Sequence, residues 1–239
     1  MPFTLKKVGK RAFSSCHDLT SVTLNEGLEI IESSAFNGCP DIATLSLPSA
    51  LKTLGDGAFN AKVIEGQLPE GLETISGRLN ENVKINSNFV MDENGVIFNK
   101  DKTALFATTK DIEGEYRIPD GVVSIGYGAF RGQKISKIDW DQELEIIGYG
   151  AFVLCENLID VPPIPSGVKE LNGTFSYCTK LTEITIPGTI EKISLRAFEC
   201  CKNLTSVTLE EGIKEIDKRT FEGCEKLQNV VYPDSAVVK

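Results

Sequence analysis

Histidine occurs once in this chain of 239 residues, tryptophan once and methionine twice. So few imidazole and thioether groups leave little material for acid–base or metal chemistry, although mechanisms built on carboxylates alone survive the shortage. Long apolar runs are also missing. None approaches the roughly 20 uninterrupted apolar residues a membrane-spanning helix needs, so direct membrane insertion is not expected. The opening Met1-Pro2-Phe3-Thr4-Leu5-Lys6-Lys7 is too short and too polar for a signal peptide. Positive charge is in deficit: 25 basic residues face 34 acidic ones, a net charge of −9. No basic cluster offsets it locally, which argues against a nucleic-acid partner. Disorder is argued against as well, because 41% apolar and 25% charged residues are ordinary values for a folded chain.

What the sequence does contain is a period. Phenylalanines fall at 13, 36 and 59, then at 130, 152, 175, 198 and 221, so that neighbours within each set are 22 or 23 residues apart. Eight of the twelve phenylalanines lie in this one column, each preceded by alanine or threonine. Other columns keep step. Five residues upstream stand Val8, Ile31, Leu54, Ile125, Ile147, Ile193 and Ile216. Three downstream stand Cys16, Cys39, Cys155, Cys178, Cys201 and Cys224, and six downstream Leu19, Ile42, Leu158, Leu181, Leu204 and Leu227. A period of this length marks a stacked-repeat architecture.

Each unit divides into a strand and a return. Leu204-Thr205-Ser206-Val207-Thr208-Leu209 alternates apolar and polar, as a half-buried strand does, and its β-branched residues suit that conformation. Prolines at 48, 69, 119, 187 and 233 close the strands, where a missing N–H costs least. From Ile213 to Phe221 the apolar residues at 213, 216 and 221 fit a tight or short helical return. One such coil cannot bury its apolar side alone, so coils stack at the strand spacing of about 4.8 Å into a right-handed parallel solenoid.

The unit L-x-x-V-x-L-(Pro)-x-x-L-x-x-I-x-x-x-A-F-x-x-C resembles the BspA-type leucine-rich repeats of bacterial surface proteins, over nearly the whole chain. The resemblance implies an α/β leucine-rich repeat solenoid with a parallel sheet on one face, of about nine coils of ~23 residues. One coil departs from the pattern. Gly77-Arg78-Leu79-Asn80 replaces the alanine–phenylalanine step, and register resumes at Tyr116. Residues 76–113 therefore read as an insertion between repeat coils at 1–75 and 114–239, within one continuous solenoid domain. Inside it, Asn88 to Asn99 reads as two strands around the turn at Asn94-Gly95, with a third at 103–108. This small antiparallel sheet is expected to carry Phe89, Phe98 and Phe106 as a minor core of its own. Met1 aligns with the end of a strand, and the chain stops shortly after a strand at Val230-Val231-Tyr232-Pro233. Solenoids need polar caps, so the chain is expected to be a segment of a longer protein whose export signal and anchor lie outside it.

The residues that invite a chemical reading have simpler ones. Cysteines in one column of stacked coils stand about 5 Å apart, beyond the roughly 3.5–4.5 Å between Cβ atoms in a disulfide. A straight ladder also diverges from the single point a tetrahedral metal needs. They read as small buried residues under the turn that follows each phenylalanine, and neither a metal nor a cofactor is expected. His17 beside Cys16 reads as a solvent-facing loop residue, because adjacent side chains on a turn point apart. Asp139, Asp141, Glu143 and Glu145 could supply a pair of acids, but their spacing of two reads as a solvated turn. Trp140 falls on an inward strand position and reads as core. The glycosylation triplets at Asn172 and Asn203 overlap repeat columns and read as chance matches. No catalytic residue is expected, and the chain is not read as an enzyme.

Removing these columns leaves the outward strand positions. They are hydroxyl-rich at Ser21, Thr23, Thr44 and Ser46, and again at Thr185, Ser206 and Thr208, with Asn229 and Val231 beyond. Between these ends they are charged, and the expected ligand-binding residues are Glu65, Gln67, Glu115, Arg117, Lys137, Asp139, Asp160 and Glu183. The family resemblance implies a non-catalytic protein-binding or adhesion module, monomeric, extracellular or at the cell surface, with a host or bacterial surface or matrix protein as its partner. The alternative is a structural spacer that displays other domains.

Overall fold

The computed structural model describes residues 1–39, 42, 45–55, 57–59, 64, 66–79, 81–228 and 230–239. They form two compact units, one of residues 1–101 with 105–110, the other of residues 102–104 with 111–239. The chain winds through about ten coils, close to the number its period predicts.

In the first unit the return segments pair with one another. Lys7–Val8, Ile30–Ile31 and Thr53–Leu54 form a parallel ladder, extended by a bridge from Thr53 to Thr74. The second unit repeats the arrangement: Ser124–Ile125 pairs with Ile146–Ile147, and Glu170–Asn172, Lys192–Ser194, Glu215–Ile216 and Val237–Val238 follow in parallel register. Of the two forms open to the return, the tight one is adopted, and no α-helix occurs among the described residues. An isolated turn of helix would leave its terminal amide and carbonyl groups without partners, whereas a neighbouring coil supplies them. Val237–Val238 thus starts a further return, beyond the point where the strand pattern ends at Pro233.

The other side carries the strand ladders. Leu45 bridges Ile64, and Gly66–Gln67 pairs in parallel with Val83–Lys84. In the second unit Glu113–Arg117 pairs with Lys134–Asp139, and Glu183–Ile186 with Ser206–Leu209. The Val83–Lys84 pairing shows that part of the segment 76–113 continues the parallel stack. The hairpin lies further on, as Phe89–Met91 antiparallel to Val96–Asn99, which is antiparallel in turn to 105–108. Gly95, at φ 77°, closes the turn by donating to the Asp92 carbonyl at 3.1 Å. Ala107 and Thr108 also pair in parallel with Gly77 and Arg78. Of the hairpin's aromatic residues, Phe98 is fully buried and Phe89 meets Phe106 edge-on at 5.8 Å, but the hairpin also joins the first unit's core. Phe89, Ile97 and Ala107 belong to the same buried cluster as Phe36 and Leu51, and Phe106 packs against it.

The phenylalanine column is a stack of rings in each unit. Centroids of Phe13, Phe36 and Phe59 are 5.0 and 4.7 Å apart, with ring planes within 7° of parallel. From Phe130 through Phe152, Phe175 and Phe198 to Phe221 the separations run from 5.3 to 5.7 Å. The interior rings Phe36, Phe130, Phe152, Phe175 and Phe198 are buried, and only the outer end at Phe13 is substantially exposed.

Candidate functional site

The outward residues of the second unit's strand ladder form the candidate site. Glu115 stands opposite Lys137, Arg117 opposite Asp139, and Lys137 bridges onward to Asp160. A bulge beside Gly114, which adopts φ 77°, skips Ser136 and sets this register. Glu115, Arg117, Lys137, Asp160 and Glu183 are exposed and Asp139 is half-buried.

These charges divide by their partners. Arg117 donates to Asp139 and to Asp120, which lies 2.7 Å away, and these bonds, Asp120's first, push its pKa above the ordinary arginine range. Asp139 is thereby tied to its neighbouring coil. Among the described residues Glu115, Lys137, Asp160 and Glu183 enter no ion pair. The return face differs. There Lys6 and Lys52 flank Glu29 at 3.1 and 3.0 Å, Lys214 meets Glu191 at 2.9 Å, and Lys239 meets Glu215 at 2.8 Å. The hydrogen bonds from Lys52 and then Lys6 hold the Glu29 carboxyl below the usual range, and Lys214 does the same for Glu191. Glu29, Glu191 and Glu215 on the return face thus bind coil to coil; on the strand face Lys134 likewise meets Glu113 at 2.8 Å and Arg117 meets Asp139, while Glu115, Lys137, Asp160 and Glu183 are left over.

Of the other expected residues, Gln67 is exposed in the first unit, and its amide donates to the Ile85 carbonyl at 3.0 Å. Glu65, Thr44 and Asn229 lie outside the described residues.

Next to Asp160 the strand ladder stops. Val161-Pro162-Pro163-Ile164-Pro165 follows, and three prolines in four positions remove the amide donors a parallel ladder requires. The single bridge from Lys137 is this coil's strand-side pairing among the described residues, and no ladder joins it to Glu183–Ile186. The sheet opens there into a groove of about 510 Å³. Its walls carry Asp160, Glu183 and Glu210, with hydroxyls from Thr185, Ser206 and Thr208 and apolar surface from Val161, Pro163 and Pro187. Glu210 also accepts from the Gly188 amide at 3.2 Å. The proline run was visible in the sequence as a signal that strand pairing fails. Pro163 sits off the alternating positions and Glu210 lies just past the strand end at Leu209, which is why counting outward strand residues passes over them.

The remaining candidates are structural. Trp140 is 5% exposed, donates from Nε1 to the Pro163 carbonyl at 3.2 Å, and leans on Phe152 at 6.0 Å. Asp141 accepts from the Glu143 and Gly121 amides, making a capped turn of the acidic run. His17 is exposed. Asn203 donates to the Thr179 carbonyl, and Thr174 is fully buried. All seven cysteines are free thiols, four of them buried. Among the described residues no cluster of three or more histidine, cysteine or acidic side chains is placed to hold a metal ion, and no helix is long and apolar enough to cross a membrane.

The family model for the BspA type leucine rich repeat region matches in six copies, over residues 1–102, 102–174 and 162–238. The chain belongs to this family. Solved structures share its fold. A leucine rich cell surface protein from Faecalibacterium prausnitzii A2-165 is 22% identical, at a TM-score of 0.68 over 98% of this chain and 69% of its own. A leucine-rich repeat protein from Eubacterium ventriosum is 23% identical, at 0.66 over 96% and 77%. The pneumococcal vaccine antigen PcpA is 21% identical, at 0.55 over 100% and 61%. No curated protein matches the chain. At these identities the structures establish the fold alone.

Proposed function

We propose that this chain is a non-catalytic, monomeric protein-binding module displayed at a bacterial cell surface or secreted, which takes a protein ligand on the strand face of its second unit. The observation that carries this reading is the asymmetry of the charges. Glu29, Glu191 and Glu215 on the return face pair with lysines of adjacent coils, whereas on the strand face, beside the paired Glu113 and Asp139, the neighbouring Glu115, Lys137, Asp160 and Glu183 stand exposed with no ion pair among the described residues. Charged side chains without an internal partner orient and select a partner molecule more than they add affinity. The description of the F. prausnitzii relative as a cell surface protein supports the location.

The test exchanges Glu115→Lys with Lys137→Glu. The two residues face each other in register, so the exchange keeps net charge and local complementarity. A binding module loses capture of its partner from extracellular-matrix or bacterial surface proteins by about tenfold or more while its melting temperature holds. Arg117 is left intact because it ties two coils. Unchanged capture would favour the spacer reading, for which repetition alone suffices.

A further inference from the structure

The geometry points to the proline-break groove as a docking site for an extended, lysine- or arginine-bearing peptide segment of a partner protein. The inference rests on the strand-face reading above and names the chemistry of the partner.

Three independent features converge. The first is the opening itself. Pro162, Pro163 and Pro165 prevent their coil from closing the ladder against Glu183–Ile186, and a concavity of about 510 Å³ opens there. The second is sign. Asp160 and Glu183 occupy the same repeat column in consecutive coils, two residues after Leu158 and Leu181, and Glu210 joins them on the groove wall. No lysine or arginine lines the groove. Like charges in neighbouring strands oppose folding, and elsewhere this protein places a lysine between its stacked acids, as Lys192 stands between Glu170 and Glu215. Lys137 adjoins Asp160 from the preceding coil but forms no ion pair with it and does not line the groove, and no lysine stands between Asp160, Glu183 and Glu210, so in the groove that cation is left to come from outside.

The third feature is the apolar surface of Val161, Pro163 and Pro187 beside the acids. A lysine or arginine side chain has both parts of this match, an apolar stem to lie on the prolines and a cationic head for the carboxylates. Thr185, Ser206 and Thr208 face the same space and can hydrogen-bond the backbone of an extended segment. An acidic segment would meet only like charge here.

The experiment titrates a dye-labelled octalysine peptide into the whole chain by fluorescence anisotropy, with octaglutamate and calcium chloride as comparison ligands. Two double variants lose the same amount of charge: Asp160→Asn with Glu183→Gln in the groove, and Glu191→Gln with Glu215→Gln on the return face. All four side chains are surface groups, and thermal melts establish that each variant is folded. The proposal expects groove neutralisation to weaken octalysine by about tenfold, the return-face pair to change it by less than about twofold, and the affinity to fall between about 0.05 and 0.2 M salt. Equal losses in both variants would reduce the effect to non-specific attraction to an acidic protein and overturn it. So would no loss in either, binding of octaglutamate, or displacement of octalysine by about 1 mM calcium, which would make the groove a cation site. The outcome is separable from the broader reading: if Glu115 and Lys137 still govern capture of a surface protein when the groove variant binds octalysine normally, only the groove proposal falls.

Discussion

The thiol of Cys155 donates to the carbonyl oxygen of Phe130, in the preceding coil, at 3.1 Å. The same bond recurs from Cys39 to Phe13, Cys178 to Phe152, Cys201 to Phe175 and Cys224 to Phe198, at 3.0 to 3.3 Å. The cysteine column is therefore a ladder of second donors, each serving the carbonyl of a stacked phenylalanine that already accepts the amide three residues on, as Phe130 does from Gln133 at 3.0 Å and Phe152 from Cys155 at 3.1 Å. A sulfur fits because it is small, buries readily and still carries a weak donor.

This ladder makes the protein sensitive to alkali. Burial pushes the Cys155 thiol up from an ordinary value of 9.0 to about 12, and burial raises Cys178 as well. Above pH 9 the unfolded chain releases protons that the folded chain still holds, so rising pH favours unfolding until the folded thiols also ionise. Each such thiol is expected to remove about 1.4 kcal/mol of stability per pH unit in this window. Urea midpoints compared at pH 8 and pH 10 for the wild type and Cys155→Ala check it: the loss with pH is smaller in the variant. A disulfide-trapping reagent at neutral pH should modify exposed Cys16 first and the buried thiols only on unfolding.

The stacked rings lead to a second expectation. Phe198 is fully buried between Phe175 and Phe221, whose centroids lie 5.5 and 5.7 Å away, whereas Phe13 at the outer end of its stack is 37% exposed. Phe198→Ala should cost about 3–5 kcal/mol, since neighbouring coils cannot collapse into the space one ring leaves. Phe13→Ala removes less buried surface and should cost about 1–2 kcal/mol. Equal costs in urea unfolding would mean the stack relaxes along its length.

These two columns were legible in the sequence because they repeat. The spacing of Phe130, Phe152 and Phe175 fixes a coil length, and the coil length fixes which side chains meet. The return ladder was harder to read. Ile30–Ile31 or Glu215–Ile216 is only two residues long, too short to show alternation, and helix and turn leave the same apolar spacing. The parallel coil at Val83–Lys84 was hidden because its Ala-Phe signature is absent. At the site, Glu115, Lys137, Asp160 and Glu183 could be found by register alone. Which of them lack partners could not, because a bridge such as that from Arg117 to Asp120 depends on how a turn folds back. The groove combines both: its prolines are plain, but Glu210 reaches it only through the geometry of a turn.

Glycine makes the last expectation specific. Gly188 and Gly212 lie in consecutive coils with their backbones in contact. A Cβ on Gly188 would sit 1.8 Å from the Glu211 carbonyl oxygen, and one on Gly212 would sit 2.4 Å from that of Gly188. Gly212 also adopts φ +117°, which side chains resist. Gly188→Ala and Gly212→Ala should each cost about 1–3 kcal/mol by forcing these turns apart. Gly71→Ala, whose Cβ would meet nothing closer than 3.8 Å, should change stability by less than about 0.5 kcal/mol. The double alanine variant distinguishes contact from conformational strain. If contact dominates, the first substitution parts the coils and the second costs less than it does alone, giving a coupling of about 1 kcal/mol in a double-mutant cycle. Strict additivity would instead assign the cost to the backbone conformation of each glycine separately.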